Sequence, residues 1–137
     1  MAHSRSTISL KEDILLEFVG SSKDDLSDFP LEAKREIGFA LRAAQKGEKA
    51  DNAKPLKGFG GASVLEITSN FDGDTFRTIY TIQLKGVIYV LHAFQKKSNK
   101  GIKTSQNDID LIRARLKTAI ELHVEREDES KKHKKQR

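Results

Sequence analysis

The stretch that decides the fold is Val87-Ile-Tyr-Val-Leu-His-Ala-Phe94, followed at once by Gln95-Lys-Lys-Ser-Asn-Lys-Gly-Ile-Lys103. The first segment is largely apolar on both alternating faces, which is typical of a central strand that is covered on each side. The second segment places four lysines at the end of that strand: Lys96, Lys97, Lys100 and Lys103. The sequence therefore predicts a buried strand that brings a cluster of positive charge to one edge of a sheet.

Three further segments, residues 14–19, 64–68 and 75–84, have the composition and turn boundaries of strands. Asp72-Gly73 and Lys85-Gly86 are tight-turn sequences, so the last three strands are predicted to form an antiparallel meander. Residues 46–63 are predicted to be a long loop around the glycine-rich run Lys54-Pro-Leu-Lys-Gly-Phe-Gly-Gly61. Such a loop either braces the sheet or lets the backbone approach a ligand.

Two N-terminal helices and one C-terminal helix are predicted to pack on this sheet. A short helical turn over residues 22–28 precedes a longer helix opened by Asp28-Phe-Pro30, because proline suits the first helical turn and Asp28 can accept from free amides there. Apolar residues at helical spacing predict the C-terminal helix, which is expected to end near His123. Before it, Thr104 or Ser105 is the candidate cap, and Ser105 with Asp108 three residues later resembles a capping box. The predicted fold class is α+β, with a mostly antiparallel sheet of about four strands packed against two N-terminal helices, and a C-terminal helix.

The chain of 137 residues is long enough for one domain. Residues 1–12 are predicted to be a flexible N-terminus, and residues 13–123 are predicted to form the domain. Residues 124–137 are predicted to be a charged, disordered tail, because nearly all of them are charged or polar and cannot pack a core. The absence of cysteine excludes disulfides and thiolate metal sites. A cytoplasmic protein is expected, since no apolar run is long enough for a membrane span or a signal peptide.

The charge of the chain is unevenly distributed around a net value of +5. Residues 1–32 carry seven acidic and three basic side chains, and the remaining residues carry 22 basic and 13 acidic ones. A basic excess gathered in one part of a small domain favours a polyanionic partner, most simply RNA or DNA. The alternative is an ordinary solvated surface, because lysines also keep a protein soluble.

Arg77 and His92 lie on the two predicted strands just behind the lysines. An arginine can hold two phosphate oxygens, and a histidine transfers protons near neutral pH. RNA is cut without metal when a base takes the 2′-hydroxyl proton, cations stabilise the phosphorane and an acid protonates the 5′-oxygen. The alternatives are an ion pair between Arg77 and Glu66 and a hydrogen-bonded core histidine at position 92.

Strand parity predicts which way these side chains point. His92 is expected to share a face with Ile88, Val90 and Phe94, while Arg77 and Tyr80 are expected on opposite faces unless a bulge intervenes.

Neither a metal nor another cofactor is expected. The other histidines (His3, His123 and His133) are terminal or isolated, and the acidic residues form no cluster with ligand spacing.

The sequence resembles the phage-derived, HigB-like branch of the RelE/ParE toxin superfamily over roughly residues 14–121. The most specific part is Leu91-His-Ala-Phe-Gln-Lys-Lys-Ser98. Further matches are Asp28-Phe-Pro30, Lys54-Pro-Leu-Lys-Gly-Phe-Gly61, Phe76-Arg-Thr-Ile-Tyr80 and Ile109-Asp-Leu-Ile-Arg-Ala-Arg-Leu116. The resemblance implies the toxin of a type II toxin–antitoxin system, which cleaves mRNA, usually on the ribosome, and is neutralised by a cognate antitoxin. A helix-turn-helix antitoxin is the expected partner.

The resemblance also implies roles for single residues. Arg77 matches the strand arginine that the family associates with substrate phosphate, and Lys96 and Lys97 match basic residues just past the last strand. His92 matches a residue of this branch. The predicted catalytic residues are His92, Arg77, Lys97 and Tyr80. The predicted RNA-binding residues are Lys54, Lys57, Lys96, Lys100 and Lys103.

This chain departs from RelE in two ways that bear on catalysis. Glu66 and Thr68 occupy the strand on which RelE carries catalytic lysines, and no tyrosine follows the basic loop. Lys54, Lys57, Tyr80 or His92 would then supply the missing chemistry, or the nuclease activity is weak or lost. The alternative function is a non-catalytic nucleic-acid- or protein-binding module, or a gyrase-directed toxin, on the same fold.

Overall fold

The structure is a computed structural model that describes residues 13–96 and 104–135, with side chains to Lys132 in the second range. The elements in chain order are β1 (Leu15–Phe18), α1 (Ser22–Ser27), α2 (Leu31–Gln45), β2 (Ala53–Pro55), β3 (Val64–Phe71), β4 (Asp74–Thr81), β5 (Val87–Lys96) and α3 (Gln106–Lys135). Across these two ranges, no helix has the length and apolar character that a membrane crossing needs.

The strands form one mixed sheet in the order β1-β5-β4-β3-β2. β1 runs parallel to β5, and the other neighbours are antiparallel, so the predicted α+β class and meander are confirmed. The prediction of about four strands missed β2, which lies inside the predicted loop. β2 has only three residues, too few for a periodic pattern, and its Pro55 is tolerated because the strand lies at the sheet edge.

Helix α2 covers one side of the sheet with the apolar stripe that its spacing predicts. The buried members of that stripe are Ala33, Ile37, Ala40, Leu41 and Ala44. They pack in one core with Phe76, Tyr80, Ile88 and Val90 from β4 and β5. The predicted Asp28 cap is wrong, because Pro30 is the N-cap residue of α2 and no side chain bonds there. Asp28 instead ends α1, donating its backbone N–H to the carbonyls of that helix.

Helix α3 covers part of the other side of the sheet. Ile112 and Ala119 are buried against Val64, Ile79 and Tyr89 in a second core. The helix begins as predicted, since the Asp108 backbone N–H donates to Ser105 Oγ at 3.2 Å.

Helix α3 continues to Lys135, so the predicted end near His123 is wrong. The residues beyond His123 are mostly Glu, Lys and Arg, which are good helix formers even where no core is available. Arg126 also lies 3.2 Å from Glu17 of β1, which ties this part of the helix to the edge of the sheet. The limits of the domain itself stay a prediction.

A β-bulge in β5 changes the face on which His92 lies. Ile79 pairs with His92 but Tyr80 pairs with Val90, which leaves Leu91 as the extra residue. Leu91 therefore packs on the α3 side with Tyr89, and His92 follows on that same side. The predicted grouping of His92 with Ile88 and Val90 is wrong, because parity cannot register an inserted residue.

Arg115 of α3 fastens this bulge. Its Nη1 donates to the Leu91 carbonyl at 3.0 Å, and its Nη2 donates to Ser21 Oγ at 3.0 Å. The carbonyl that the bulge takes out of the regular ladder thus receives a donor from the helix, which is what a buried backbone acceptor requires.

Candidate functional site

Cross-strand partners in three rows build a site on the α3 side of the sheet. The rows are Lys54, Glu66, Ile79 and His92; Thr68, Arg77 and Phe94; and Asn70, Thr75 and Lys96. Directly opposed residues in antiparallel strands point to the same face and have closely spaced Cβ atoms. We call the second and third rows together the Arg77 face. The sheet thus brings four of the predicted site residues, Lys54, Arg77, His92 and Lys96, onto one side.

Arg77 is held in the centre of this face by an ion pair. Its side chain is 9% exposed, and Nη1 donates to Glu66 Oε1 at 2.8 Å. The other oxygen of Glu66 accepts a hydrogen bond of 2.9 Å from Thr104 Oγ1, just before α3. The predicted alternative, an Arg77–Glu66 pair, is therefore present. It fixes the guanidinium in place but also sets a carboxylate in competition with any phosphate that binds there.

His92 is oriented by the first turn of α3. Its ring is 7% exposed, and Nε2 lies 2.7 Å from Asp108 Oδ1. Nδ1 is buried, and it has no hydrogen-bond partner among the described residues. In the tautomer that carries a proton on Nε2, this nitrogen donates to Asp108, and Nδ1 is then an acceptor.

Asp108 owes its position to the start of the helix. Its Oδ2 accepts a 2.7 Å hydrogen bond from the Ser105 hydroxyl. A carboxylate in the first turn is also favoured by the partial positive charge of a helix N-terminus. The same side chain therefore contacts the Ser105 cap of the helix and orients the imidazole.

Phe94 is a neighbour of both Arg77 and His92. It lies directly opposite Arg77 across the β4–β5 ladder. Its ring stacks on His92, with centroids 4.5 Å apart and an angle of 18° between the planes. Phe94 is only partly buried, so an aromatic surface is accessible between cationic side chains.

The other predicted site residues are spread over the molecule. Lys96 is on the Arg77 face, Lys54 is exposed opposite Glu66, and Lys57 is exposed in the loop after β2. Tyr80 lies on the other side of the sheet from Arg77, as its parity predicts, and is 1% exposed in the core beneath α2. Burial raises the pKa of its hydroxyl above the usual value of 10.0. Lys97, Lys100 and Lys103 lie outside the described residues.

The glycine-rich loop is fastened to α3 rather than left open. Gly58, Gly60 and Gly61 all have positive φ, which explains why glycine occupies them. Arg113 Nη2 donates to the Gly58 carbonyl at 2.9 Å, and its guanidinium lies 4.6 Å from the Phe59 ring centroid. These contacts favour the bracing role among the two that the sequence leaves open.

Three contributors to the site are invisible as such in the sequence. Asp108 is recognisable only as a capping residue, Thr104 only as a candidate cap, and Phe94 only as one apolar residue of a strand. Their roles follow from strand register and from contacts across the sheet. Within residues 13–96 and 104–135, no three histidine or acidic side chains are grouped closely enough to hold a metal ion.

The fold is similar to solved structures of toxins at low sequence identity. A free-state mutant of the E. coli toxin RelE is 15% identical, with a TM-score of 0.47 over 59% of this chain and 81% of that chain. The RelBE2 toxin–antitoxin complex of Mycobacterium tuberculosis contains a chain that is 16% identical, with a TM-score of 0.43 over 64% of this chain and 95% of that chain. Among curated proteins there is no significant match.

A protein family, by contrast, matches most of the chain. The match covers residues 24–117, from α1 through the first turns of α3, and thus includes every described row of the site. The family is described as phage derived protein Gp49-like (DUF891). This chain is therefore a member of the phage-derived Gp49-like family.

Proposed function

We propose that this protein is the toxin of a type II toxin–antitoxin system, of the HigB-like branch of the RelE/ParE superfamily. In this proposal it is a metal-independent endoribonuclease that cleaves mRNA on the ribosome, in the cytoplasm, and a helix-turn-helix antitoxin neutralises it. The observation that carries the proposal is the Arg77 face. The guanidinium of Arg77 and the ammonium of Lys96 lie there, and the imidazole of His92 lies in the adjacent row on the same side of the sheet. The family membership and the sequence motifs around Arg77 and His92 support it.

In this mechanism Arg77 and the lysines hold the scissile phosphate. The guanidinium of Arg77 binds two non-bridging oxygens once Glu66 yields part of its contact, and Lys96 and Lys97 add positive charge beside them. These cations stabilise the extra negative charge of the phosphorane more than that of the starting phosphate. Lys54 and Lys57, with Lys100 and Lys103, bind the flanking backbone.

His92 is the proposed proton acceptor. Its Nδ1 takes the proton of the 2′-hydroxyl, the 2′-oxygen attacks phosphorus, and the carboxylate of Asp108 stabilises the resulting imidazolium. The bond to the 5′-oxygen then breaks as that oxygen takes a proton from the ammonium of Lys97, which leaves a cyclic phosphate. Because His92 is 7% exposed and Nδ1 is buried, RNA must displace the side chains that cover Nδ1, while the stack on Phe94 and the contact with Asp108 stay in place.

A non-catalytic binding module is the second candidate, and one observation favours it. Arg77 and His92 each already pair with a carboxylate, on Glu66 and Asp108 respectively. Such pairs are also what purely structural polar groups form inside a protein. In that case the Arg77 face and the lysines would bind a polyanion or a protein without cutting it.

Induced expression of matched variants separates the two functions. Wild-type protein, Arg77→Ala, His92→Ala and the control Lys85→Ala are compared for growth arrest and for cleavage sites in mRNA. Lys85 is exposed in the turn between β4 and β5, at the opposite end of those strands from Lys96. The nuclease predicts arrest and cleavage in wild type and control, and neither in the two site variants.

The second candidate predicts a different pattern in the same experiment. Binding of RNA without new mRNA ends, unaffected by His92→Ala, would reject the nuclease. Circular dichroism and melting of each purified variant show whether a loss of activity is a loss of fold. Arg77→Lys and His92→Gln serve as milder variants if either alanine variant fails to fold.

A further inference from the structure

Phe94 is a partly exposed aromatic residue among polar and cationic side chains, which a purely structural role does not require. It stands in the middle of the Arg77 face, beside Arg77 and in the same row as Thr68. Part of it packs at the border of the core beneath α3, yet the residue remains partly exposed. A single exposed apolar residue on an ordinary surface needs no explanation. An accessible apolar ring that is surrounded by polar and cationic groups instead indicates a binding site.

The accessible part of the ring is defined by its neighbours. His92 covers one face of the ring, stacked 4.5 Å away and nearly parallel. The accessible part of the ring therefore lies away from the face that His92 covers. This arrangement holds the ring rigidly. The protein therefore loses little conformational entropy when a flat ligand group stacks on the ring.

The position of Phe94 relative to the charges matches the layout of a nucleotide. Phe94 is the direct cross-strand partner of Arg77, so their Cβ atoms are about 5 Å apart. Lys96 lies two residues further along the same strand and on the same face. A base and its phosphate are joined through one sugar, so a base next to a phosphate at Arg77 falls within reach of the neighbouring ring.

We propose that Phe94 is a stacking platform for one unpaired base of single-stranded RNA, adjacent to the phosphate that Arg77 binds. This inference rests on the proposed function. The platform contributes affinity without selecting a particular base, because every base has a π-face that stacks on an aromatic ring. It also selects against duplex RNA, whose bases are already stacked within the helix.

The chain contains no tryptophan, which allows a direct test. Phe94→Trp creates a single fluorescent probe at the platform, and Phe39→Trp creates a matched probe on α2, where Phe39 is 76% exposed. Each variant is titrated with a short single-stranded RNA whose 2′-hydroxyls are methylated to prevent cleavage. Parallel titrations use the same strand with one abasic nucleotide, moved position by position. We expect RNA to quench the fluorescence of the Phe94→Trp variant, and one abasic position to abolish that quenching, with no such dependence in the Phe39→Trp variant.

Dissociation constants of unlabelled proteins complete the test. In wild type, removal of the critical base weakens binding roughly 5- to 150-fold, the range that base–aromatic stacking contributes. Phe94→Leu, which keeps an apolar side chain, binds the intact and the abasic strand equally. A role of Phe94 limited to packing against His92 would weaken both strands alike and would leave the abasic penalty in place.

The outcomes also separate this inference from the function on which it rests. Salt-dependent binding with equal affinity for the intact and every abasic strand overturns the platform and leaves RNA binding standing. A lack of binding of any free strand at low salt overturns the platform, whereas the proposed cleavage on the ribosome is decided by the mRNA ends in the expression experiment. An abasic penalty that persists in Phe94→Leu assigns the stacking to another residue.

Discussion

His92 Nε2 lies 2.7 Å from Asp108 Oδ1, and this contact joins the bulged strand β5 to the first turn of α3. The same carboxylate accepts a hydrogen bond from the Ser105 hydroxyl at 2.7 Å. Helix start and imidazole orientation thus depend on one side chain. A change at Asp108 is therefore expected to affect stability and chemistry together.

Asp108→Asn should lower the free energy of unfolding by about 1–2 kcal/mol, because the first turn of the helix loses a negative charge at its positive end and His92 loses a charged acceptor. Urea unfolding of the purified protein measures this. Asp110→Asn is the matched control in the same helix turn, where the exposed Asp110 only accepts a hydrogen bond from Gln106. That control should change stability by less than about 0.5 kcal/mol. Equal losses in both variants would mean that the His92–Asp108 contact contributes nothing.

Glu66→Gln should strengthen RNA binding. The carboxylate pairs with Arg77 at 2.8 Å, so it competes with phosphate for the guanidinium and repels it. Removal of that charge should lower the dissociation constant by about 2- to 10-fold at low salt, with a smaller gain at high salt. Glu32→Gln, an exposed change of equal charge on α2, controls for the general gain in positive charge. If both variants bind alike, Glu66 is not a local competitor.

The sequence predicts most of the strands because their apolar runs are long and their turns are marked by glycine. It fails where a structural feature leaves no periodic signal. Three residues of β2 are too few to show alternation, and the extra residue Leu91 reverses the parity on which the orientation of His92 depends. The opposite orientation of Arg77 and Tyr80 is predicted correctly, because the bulge lies on β5 and leaves β4 regular.

The contacts of the site likewise divide into those that the sequence predicts and those that it does not. The Arg77–Glu66 pair follows from two neighbouring strands that the sequence places side by side. The partner of His92 does not, since Asp108 belongs to a helix that reaches the sheet only after a further basic segment. Local patterns therefore identify the charged residues, and tertiary packing decides which of them meet.

Stability at alkaline pH should depend on Tyr80. Burial raises the pKa of its hydroxyl above 10.0, so the neutral form is favoured in the folded state. The stabilisation is complete below pH 10 and is lost as the pH rises towards the raised pKa, since the unfolded chain ionises first. Urea midpoints of wild type and Tyr80→Phe, measured from pH 8 to pH 11, should therefore converge or cross at the alkaline end. Parallel pH profiles would show that ionisation of Tyr80 is not linked to folding.

Gly38→Ala should stabilise the protein by up to ~1 kcal/mol. Gly38 lies inside α2, and a Cβ added there would have no other atom within 4 Å. No close packing contact therefore requires glycine at this position. Alanine then gains helix propensity without a steric cost. A rise in the urea midpoint checks this, and an unchanged or lower midpoint would show that the exposed face of α2 is more constrained than its surroundings indicate.

Gly20→Ala should destabilise the protein, in contrast to Gly38→Ala. Gly20 has φ +60°, and an added Cβ would lie 2.7 Å from Arg115 Nε. Arg115 would then have to release Ser21 Oγ or the Leu91 carbonyl, the two acceptors that fasten the β5 bulge. Strained backbone and lost hydrogen bonds together should cost about 1–3 kcal/mol in unfolding free energy. Because the bulge places His92 on the α3 side, the proposed RNA cleavage should also fall in the fraction that remains folded. A stable variant with full cleavage would show that the bulge holds without Arg115.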